Sequence, residues 1–289
     1  MLFTEYLLLV FLSAIWGASF IFMRILAPVL GPMTTADMRL LIAGIALAIF
    51  LRVQNIDLQW KKNWKRYIIT GLLSSGFSFL LFSFAALHIP ASVSVILNAL
   101  TPMFGALSAV VWLGEKMSWR LVVGIMLGFV GVAVIRGGGS FEITGITTLA
   151  MGACVLATMF YGVGSVYVKQ KAHDIGAQAI ATGSQLTVGI LFLPLIFISP
   201  PTGNITIEIV IYTLLFAIFC SAVAYIIFYR LIKTLGPVKT TTVTFLIPVF
   251  GFIWGTIFLQ EEITAKMILG ALIVLSGMYF VTGKKKKSS

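Results

Sequence analysis

Long apolar stretches separated by short breaks make up almost the whole chain. Because a helix needs about 20 mostly apolar residues to cross a bilayer, this pattern predicts ten transmembrane helices. Proline, glycine and charged residues interrupt it between the stretches, where they end helices or resist burial in lipid. The ten predicted spans, numbered 1 to 10, are 6–27, 33–51, 67–88, 91–113, 119–136, 145–168, 176–198, 207–230, 238–259 and 265–282.

The composition also indicates an all-α integral membrane protein. Hydrophobic residues make up 60% of the 289 positions and charged residues only 10%, whereas a soluble domain carries about 25% charge. The net charge of +11 does not predict nucleic-acid binding, because the Lys and Arg residues lie in short loops beside apolar stretches. The lipid bilayer is therefore the expected partner. Cys154 and Cys220 lie within apolar runs, and we expect buried thiols rather than a disulfide or a metal pair.

Residues 100–131 and 246–277 repeat one another at a distance of 146 positions. Leu and Val would recur through composition alone, but shared Pro, Gly and Glu in one register indicate a duplication. We therefore predict a first repeat over 1–136, a second over 137–283 and a basic tail over 284–289. The most informative pairs are Pro102/Pro248, Phe104/Phe250, Gly105/Gly251, Glu115/Glu261, Gly124/Gly270 and Gly131/Gly277.

The basic residues predict the orientation of the chain. With the N-terminus in the cytoplasm, 16 of the 20 Lys and Arg residues fall on the cytoplasmic side, four of them in the tail Lys284–Lys287. The positive-inside rule then places both termini in the cytoplasm of an inner or plasma membrane. Five spans per repeat is an odd number, so the halves are expected to cross the membrane in opposite senses. The tail also resembles a dilysine retrieval signal, an alternative that requires a eukaryotic host.

The repeated motifs resemble those of the drug/metabolite transporter superfamily, in its EamA-like branch. The resemblance implies a basket of helices around a central cavity, formed mainly by spans 1, 3, 4, 6, 8 and 9, and the movement of small metabolites, amino acids or drugs. The second repeat departs at Gln260, where the first has Gly114, and this affects the turn. The motifs are Pro90-Ala91-Ser92-Val93, Leu100-Thr101-Pro102-Met103-Phe104, Leu113-Gly114-Glu115-Lys116, Gly236-Pro237-Val238, Leu246-Ile247-Pro248-Val249-Phe250, Leu259-Gln260-Glu261-Glu262 and the opening Ala14-Ile15-Trp16-Gly17-Ala18-Ser19-Phe20.

Polar and aromatic residues inside the predicted spans are the candidate substrate contacts, because each needs a partner within the membrane. For any one of them, a hydrogen bond between helices is the alternative role. Trp16 and Tyr161 hold comparable places in spans 1 and 6 and are expected to face each other across a pseudo-two-fold axis. Asn98 is the leading candidate because its amide offers both donor and acceptor one turn before Pro102. The full set is Trp16, Ser19, Ser78, Asn98, Thr101, Tyr161, Gln185, Tyr225, Tyr229 and Thr244.

Two pairs of equivalent residues are candidates for hinges and for structural contacts. Pro102 and Pro248 lie well inside their spans, where each removes an intrahelical hydrogen bond and makes either a hinge or a static kink. Glu115 and Glu261 stand at span ends before a helix N-terminus, which favours negative charge. We expect structural glutamates that fix the turns rather than proton carriers. Three positions after each glutamate, a Ser or Thr hydroxyl is placed to cap the next helix.

Charged residues are scarce inside the predicted spans. Asp37 and Arg39 are expected near the outer end of span 2. Headgroup anchoring is the expected role of Arg24, Arg39 and Arg136, and an outer vestibule is the alternative. The lack of a clear mid-span acid argues against proton coupling. The lack of a deep Lys or Arg argues against sugar phosphates as substrates.

The sequence thus predicts a secondary transporter for a small neutral or zwitterionic metabolite, such as an amino acid. It would act by alternating access, as an exporter or as a facilitator or exchanger, and as a monomer or homodimer. No catalytic residue, metal ligand or cofactor is predicted, since His88 and His173 lie near span ends and hydrolase and metalloprotease motifs are missing. A membrane-embedded ligand sensor or scaffold is the alternative, although such a protein usually carries a soluble output module.

Overall fold

The computed structural model describes residues 2–136, 141–235, 237–240 and 242–283, and every regular element within them is helical. Three predicted features lie outside the described residues. They are the break at 137–139, Gly236 in the break between spans 8 and 9, and the basic tail 284–289. The side chains of Leu2, Tyr229, Pro237 and Val238 also lie outside the description.

The first half of the chain forms six helices. Helix α1 has 52 residues, about 78 Å at 1.5 Å per residue, which is more than twice the hydrocarbon thickness of a bilayer. It contains predicted spans 1 and 2, and Gly31 between them leaves helical geometry at φ 76° and ψ 159°. The predicted break between spans 1 and 2 is therefore confirmed at Gly31. The helices are α1 (Leu2–Val53), α2 (Trp60–Gly71), α3 (Phe77–Ala85), α4 (Ala91–Asn98), α5 (Thr101–Leu113) and α6 (Trp119–Arg136).

The second half forms seven helices. A π-helical turn at Ile218–Val223 joins α9 to α10, and another at Leu72–Gly76 joins α2 to α3 in the first half. The two π-helical turns begin 146 positions apart and so occupy equivalent places in the two repeats. The helices are α7 (Gly145–Lys171), α8 (Ala177–Ile196), α9 (Ile207–Ala217), α10 (Ala224–Leu235), α11 (Pro237–Thr240), α12 (Val243–Leu259) and α13 (Ala265–Thr282).

Eight helical stretches within the described residues are long and apolar enough to cross a membrane, with α1 counted as one. Helix α12 is apolar but shorter, at 17 residues. Predicted span 3 begins earlier than expected, since α2 starts at Trp60, within the basic stretch 52–66 for which the sequence predicts a loop. Lys61, Lys62 and Lys65 are exposed there. Long basic side chains reach the headgroup layer while the helix backbone continues, which explains the longer helix.

The two repeated prolines have different surroundings, and one differs from the expectation. Helix α4 ends at Asn98 and α5 begins at Thr101, so Pro102 lies in the first turn of a new helix. A proline there removes no intrahelical hydrogen bond, because first-turn N–H groups have no acceptor within the helix. Pro102 therefore does not kink a continuous span 4, whereas Pro248 lies inside α12 as expected.

Equivalent helices of the two repeats pack closely and run in opposite directions. A methyl group added at Gly124 of α6 would lie 2.7 Å from the carbonyl oxygen of Gly277 in α13, and one at Gly131 would lie 2.8 Å from that of Gly270. Residue numbers rise along α6 as they fall along α13, so the helices are antiparallel. Because Gly124 is equivalent to Gly270 and Gly131 to Gly277, the contact is reciprocal, as an inverted repeat requires.

The second part of α1 and helix α8 show the same reciprocity. A methyl group at Gly44 would lie 2.7 Å from the Cα of Leu186, and one at Gly189 would lie 2.9 Å from the Cα of Leu41. Here the equivalent positions are 145 residues apart. Both helix pairs therefore bring main chains together where a side chain would clash.

Contacts of the first helices cross between the halves. A methyl group at Gly17 in α1 would lie 3.0 Å from the amide nitrogen of Gly251 in α12, and one at Gly162 in α7 would lie 2.7 Å from that of Gly105 in α5. The first span of each repeat thus packs against the proline-containing segment of the other repeat. The two halves interlock rather than lie side by side.

Polar loops and helix ends collect at two opposite ends of the bundle. The end at which α1 begins is called the terminal face, and its ion pairs are Glu5–Arg230, Arg66–Asp174 and Glu115–Lys169. The other end, called the distal face, contains Gly31, Ala86, Ala91, Arg136 and Glu261.

Two charged residues expected near the surface are buried. Asp37 is fully buried in α1, and neither carboxyl oxygen has a hydrogen-bond partner among the described residues. Arg39 retains 6% exposure. The expectation of headgroup anchoring is therefore wrong for Arg39, because the fold encloses this part of α1 between other helices. Arg136 is exposed, and headgroup anchoring remains a prediction for it.

We predict that Gly131→Leu destabilises the protein by about 1–3 kcal/mol, because a side chain there would overlap the main chain of α13. The matched control is Gly152→Leu, since no atom lies within 4 Å of a methyl group at Gly152. Thermal unfolding of the purified variants in one detergent would test this. Equal melting temperatures would contradict the close contact between α6 and α13.

We predict that Asp37→Asn leaves the melting temperature unchanged or raises it, because the native carboxyl has no partner to lose and an amide is uncharged. Glu5→Gln is the control, since the Glu5 carboxylate accepts hydrogen bonds from Arg230 at 3.0 Å and Thr234 at 3.1 Å. That variant should melt at a lower temperature. A loss of stability in Asp37→Asn that exceeds the loss in Glu5→Gln would show that Asp37 has a stabilising partner.

Candidate substrate site between the two halves

Trp16 in α1 packs against rings of the second half. Its centroid lies 6.3 Å from that of Tyr225, with the ring planes at 72°, and 5.3 Å from that of Phe228. Both partners belong to α10. Aromatic rings at these separations attract one another beyond the area they bury, so the contact holds α1 against α10.

Tyr161 in α7 makes the equivalent contacts with the first half. Its centroid lies 6.4 Å from that of Phe79 and 6.1 Å from that of Phe82, both in α3. Phe79 is equivalent to Tyr225 and Phe82 to Phe228, because each pair is 146 residues apart. The six rings therefore form two equivalent sets, and Trp16 and Tyr161 each contact the half to which they do not belong.

Arg39 lies beside the ring set of Tyr161 and interacts electrostatically with Tyr225 of the other set. Its guanidinium carbon is 3.8 Å from the ring centroid of Phe79 and 4.6 Å from that of Phe216. Its Nε donates to the Ser221 hydroxyl at 2.8 Å, and an Nη donates to the carbonyl oxygen of Cys220 at 3.3 Å. Arg39 thus joins α1 to α3 of its own half and to the π-helical turn of the other half.

The π-helical turn explains why a main-chain oxygen is available to Arg39. A π turn shifts hydrogen bonds from the i+4 to the i+5 position and leaves local backbone groups without their usual partners. Cys220 and Ser221 lie in this turn. Ser75, the equivalent of Ser221, lies in the other π turn and interacts with the Tyr225 side chain. Each π turn therefore supplies a serine hydroxyl to the candidate site, Ser221 to Arg39 and Ser75 to Tyr225.

Sequence reasoning missed Arg39, although a signal was present. Arg39 is the seventh residue of predicted span 33–51, about 10 Å along a helix from its start, and it interrupts an apolar run. An ionisable residue inside a span is by default a candidate functional residue. The same charged pattern also fits a residue that reaches the headgroup layer, and this is the role that the sequence favours.

Two further candidate residues are buried near the π-helical turn or the Tyr225 cluster. Both polar atoms of the Gln185 amide have no hydrogen-bond partner among the described residues, whereas the Ser19 hydroxyl interacts with the Cys220 thiol. Gln185 lies one helical turn after Ala181, which packs in a cluster that includes Tyr225. Buried polar groups are normally satisfied, so the Gln185 amide is suited to a bound solute.

Three other predicted contacts, Ser78, Thr101 and Thr244, use their polar groups in hydrogen bonds to the protein itself. Ser78 donates to the carbonyl oxygen of Ala157 at 3.0 Å, which links α3 to α7. Thr101 donates to the carbonyl oxygen of Asn98 at 2.7 Å, across the break between α4 and α5. These bonds match the alternative role, which is to satisfy polar groups between or within helices.

Thr244 donates to the Met278 sulfur at 3.7 Å and so faces α13. The side chain of Tyr229 lies outside the described residues. The ten candidates therefore divide. Tyr161 and Tyr225 both interact with Arg39, and Trp16 joins this group through its contact with Tyr225.

Glu261 binds the N-terminus of a helix in the other half. Its carboxylate accepts hydrogen bonds from the amide nitrogens of Ala91 at 2.6 Å and Ser92 at 2.9 Å, in the first turn of α4. Its equivalent, Glu115, instead pairs with Lys169 at 3.0 Å on the terminal face, where both side chains are exposed. Both contacts join the halves, but the equivalent glutamates have different partners: Glu261 binds main-chain amides of a helix N-terminus, and Glu115 binds a lysine side chain.

The turns after the two glutamates follow the expectation. The Thr264 hydroxyl accepts from the amide of Met267 at 3.2 Å, and the Ser118 hydroxyl accepts from that of Leu121 at 3.3 Å. The two predicted caps are confirmed. Gln260 adopts φ 53°, close to the φ 68° of Gly114, so glutamine takes a left-handed turn that favours glycine.

Comparison with known proteins places this architecture in a family. The model of the EamA-like transporter family matches residues 4–137 and again 148–283. YvbV, named as an uncharacterized transporter of Bacillus subtilis strain 168, is 28% identical over 286 residues, which cover 97% of this chain and 92% of that protein. A probable terminal-alkyne amino-acid exporter of Streptantibioticus cattleyicolor is 20% identical over 286 residues, with 95% and 93% covered.

The fold is shared with a solved structure. A protein crystal structure with 15% sequence identity superimposes with a TM-score of 0.67, and the match covers 94% of each chain. At this identity the likeness concerns the fold alone. Because the family model matches both halves, the chain belongs to the EamA-like transporter family, within the drug/metabolite transporter superfamily.

Proposed function

We propose that the protein is a secondary transporter that moves a small neutral or zwitterionic organic solute, such as an amino acid, by alternating access. The observation that carries the proposal is the pair of equivalent ring sets where the halves meet, with Arg39 against Phe79 of one set and in electrostatic interaction with Tyr225 of the other. A solute bound there would contact both halves, so relative movement of the halves would change the side to which it is exposed. The related protein named as an amino-acid exporter supports this solute class.

We further propose ten membrane crossings with both termini in the cytoplasm of the inner or plasma membrane. The two segments of α1, on either side of Gly31, account for two crossings. Helix α12, with 17 residues, is the shortest helix proposed to cross the membrane without a break. The excess of Lys and Arg on the terminal face supports this orientation. The transporter would then be an exporter or a facilitator or exchanger, and it could work as a monomer or a homodimer.

The unequal roles of the two glutamates support alternation between two states. Glu261 closes the distal face by bridging α4 and the end of α12, whereas Glu115 makes an exposed ion pair on the terminal face. In an inverted repeat, the halves exchange conformations when the protein changes state. We therefore infer a state closed at the distal face, in which Glu115 would take the bridging role only after the exchange.

The proposed substrate contacts are Trp16, Tyr161 and Tyr225, together with Ser19 and Gln185. Ser78, Asn98, Thr101, Tyr229 and Thr244 remain predictions from sequence. Pro102 and Pro248 are proposed hinges on the evidence of their positions. One begins a new helix after a break and the other lies inside a helix, and this difference supports segments that change shape between states.

We predict that Trp16→Ala and Tyr161→Ala each lower solute flux about 10-fold, because each removes an aromatic contact worth roughly one kcal/mol or more. The measurement is uptake and counterflow of pooled amino acids and metabolites in proteoliposomes, with and without a pH gradient. Trp119→Ala is the matched control, since Trp119 is 64% exposed at the start of α6 and should not affect flux.

Flux that is lost equally in the control variant would contradict the site. If no solute of the panel moves through folded protein, the transporter proposal loses its support from the geometry, and a ligand sensor becomes the better interpretation.

We predict that Glu261→Gln lowers the melting temperature more than Glu115→Gln does. The Glu261 carboxylate satisfies two helix N-terminal amides, and the charge there interacts favourably with the helix dipole. An exposed pair such as Glu115–Lys169 contributes only about 0–1 kcal/mol. Both variants should lower the transport rate, because each removes a closing contact from one of the two states. Equal melting temperatures of Glu261→Gln and Glu115→Gln, together with unchanged flux in both, would contradict the proposed closing role of Glu261.

A further inference from the structure

Arg39 carries a buried positive charge that has no counter-ion within the protein. The ion pairs of the described residues do not include it. The groups that interact electrostatically with it are Tyr161, Cys220 and Tyr225, and each of these is neutral in its ordinary protonation state. Asp37, two residues earlier on the same helix, leaves both carboxyl oxygens without a partner. A guanidinium is always charged under physiological conditions, so this charge is balanced by nothing that the chain supplies here.

The protein satisfies only part of what Arg39 offers. A guanidinium has five N–H donors in a planar fork, and Arg39 uses two of them, on Ser221 and on the carbonyl of Cys220. The rings of Phe79 and Phe216 add cation–π attraction of about 0.5–2 kcal/mol each. That attraction is smaller than the cost of a buried charge, which is of several kcal/mol. A planar fork with unused donors is suited to a carboxylate, which it binds through two parallel hydrogen bonds.

We propose that Arg39 binds the carboxylate of the transported solute, so that the substrates are small monocarboxylates with an apolar or aromatic remainder. This inference rests on the proposed transport function and deepens it. The solute's charge neutralises Arg39 and its remainder packs among the rings of Trp16, Tyr161 and Tyr225. A zwitterionic amino acid meets this description within the proposed solute class, and a desamino monocarboxylate, which is an anion, would extend that class.

One cation favours a single negative charge. Among the Lys and Arg side chains that the structure describes, Arg39 alone is buried, and Arg24 is engaged with the carbonyl oxygen of Ala86 near the distal face. A phosphate group carries up to two charges and more acceptor oxygens, and it is usually held by several cations or amides. The site therefore selects a carboxylate over a phosphate.

Position and symmetry strengthen the assignment. Equivalence of Leu41 with Leu186 and of Gly44 with Gly189 makes Ser184 the counterpart of Arg39. Ser184 donates to the carbonyl oxygen of Ala181 in its own helix. The site thus has two equivalent ring sets but a positive charge from one half only. This asymmetry orients a solute that has one charged end.

The test uses matched probes with purified full-length protein in detergent. Benzoate is compared with benzamide, and phenylalanine with phenylalaninamide, because each amide keeps the ring and lacks the carboxylate. Inorganic phosphate is the third probe. We expect saturable increases in melting temperature of about 2–4 °C with the carboxylates, up to about 10 mM ligand. The amides and phosphate should give no increase.

Substitutions of single arginines test whether the shift in melting temperature depends on Arg39. Arg39→Gln should abolish the shift produced by carboxylates, and Arg39→Lys should keep part of it, because the charge remains and the fork is lost. Arg136→Gln, which removes an exposed arginine, should respond as wild type does. The comparison of acid with amide on wild-type protein decides the inference even if an Arg39 variant does not fold.

The outcomes separate this inference from transport itself. No shift with any carboxylate at about 10 mM, equal shifts with acid and amide, or a larger shift with phosphate would each overturn the carboxylate assignment. Flux of the acid in proteoliposomes that survives in folded Arg39→Gln would also overturn it while transport stands. A shift that requires Arg39, without flux of the same acid, would support the binding site and count against the proposed transport.

Discussion

The close main-chain contact between equivalent helices is the interaction on which the rest of the structure depends. Lipid provides no hydrophobic drive that would hold two apolar helices together, so their association rests on tight packing. At Gly124, Gly131 and Gly44 the neighbouring main chain occupies the space that a side chain would fill. These contacts interlock the halves, and the interlocking brings Trp16 against α10 and Tyr161 against α3. The candidate site is a consequence of this packing.

Water is lacking in the bilayer interior, so polar groups in the spans must find partners in the protein. Most do so in simple ways. Ser78 bonds the main chain of a neighbouring helix, and Thr101 bonds that of its own segment. The exceptions are therefore informative. The buried amide of Gln185 has no partner among the described residues, and Arg39 has a charge that no acid balances. Groups left unsatisfied by the fold are the ones available to a solute.

Departures from symmetry carry the functional information. The aromatic walls, the π turns and the glycine contacts are duplicated, as a repeated sequence requires. Arg39 has a serine as its counterpart, and Glu261 binds the first turn of α4 while Glu115 binds Lys169. The first departure gives the site a charged end. The second distinguishes the two faces of the bundle and supports alternation between two states.

The sequence by itself determined the helical segments, their approximate ends and the duplication, because hydropathy and repeated motifs are local properties of the chain. It also determined the caps at Ser118 and Thr264, which need only three neighbouring residues. It indicated Trp16, Tyr161 and Tyr225 by residue type. Only the tertiary structure decided which of the candidates meet, because helical periodicity does not say which face of one helix packs on another. The same limit explains Arg39, whose place in an apolar run fits either a headgroup or a buried site, until the contacts of α3 and the π turn enclose it.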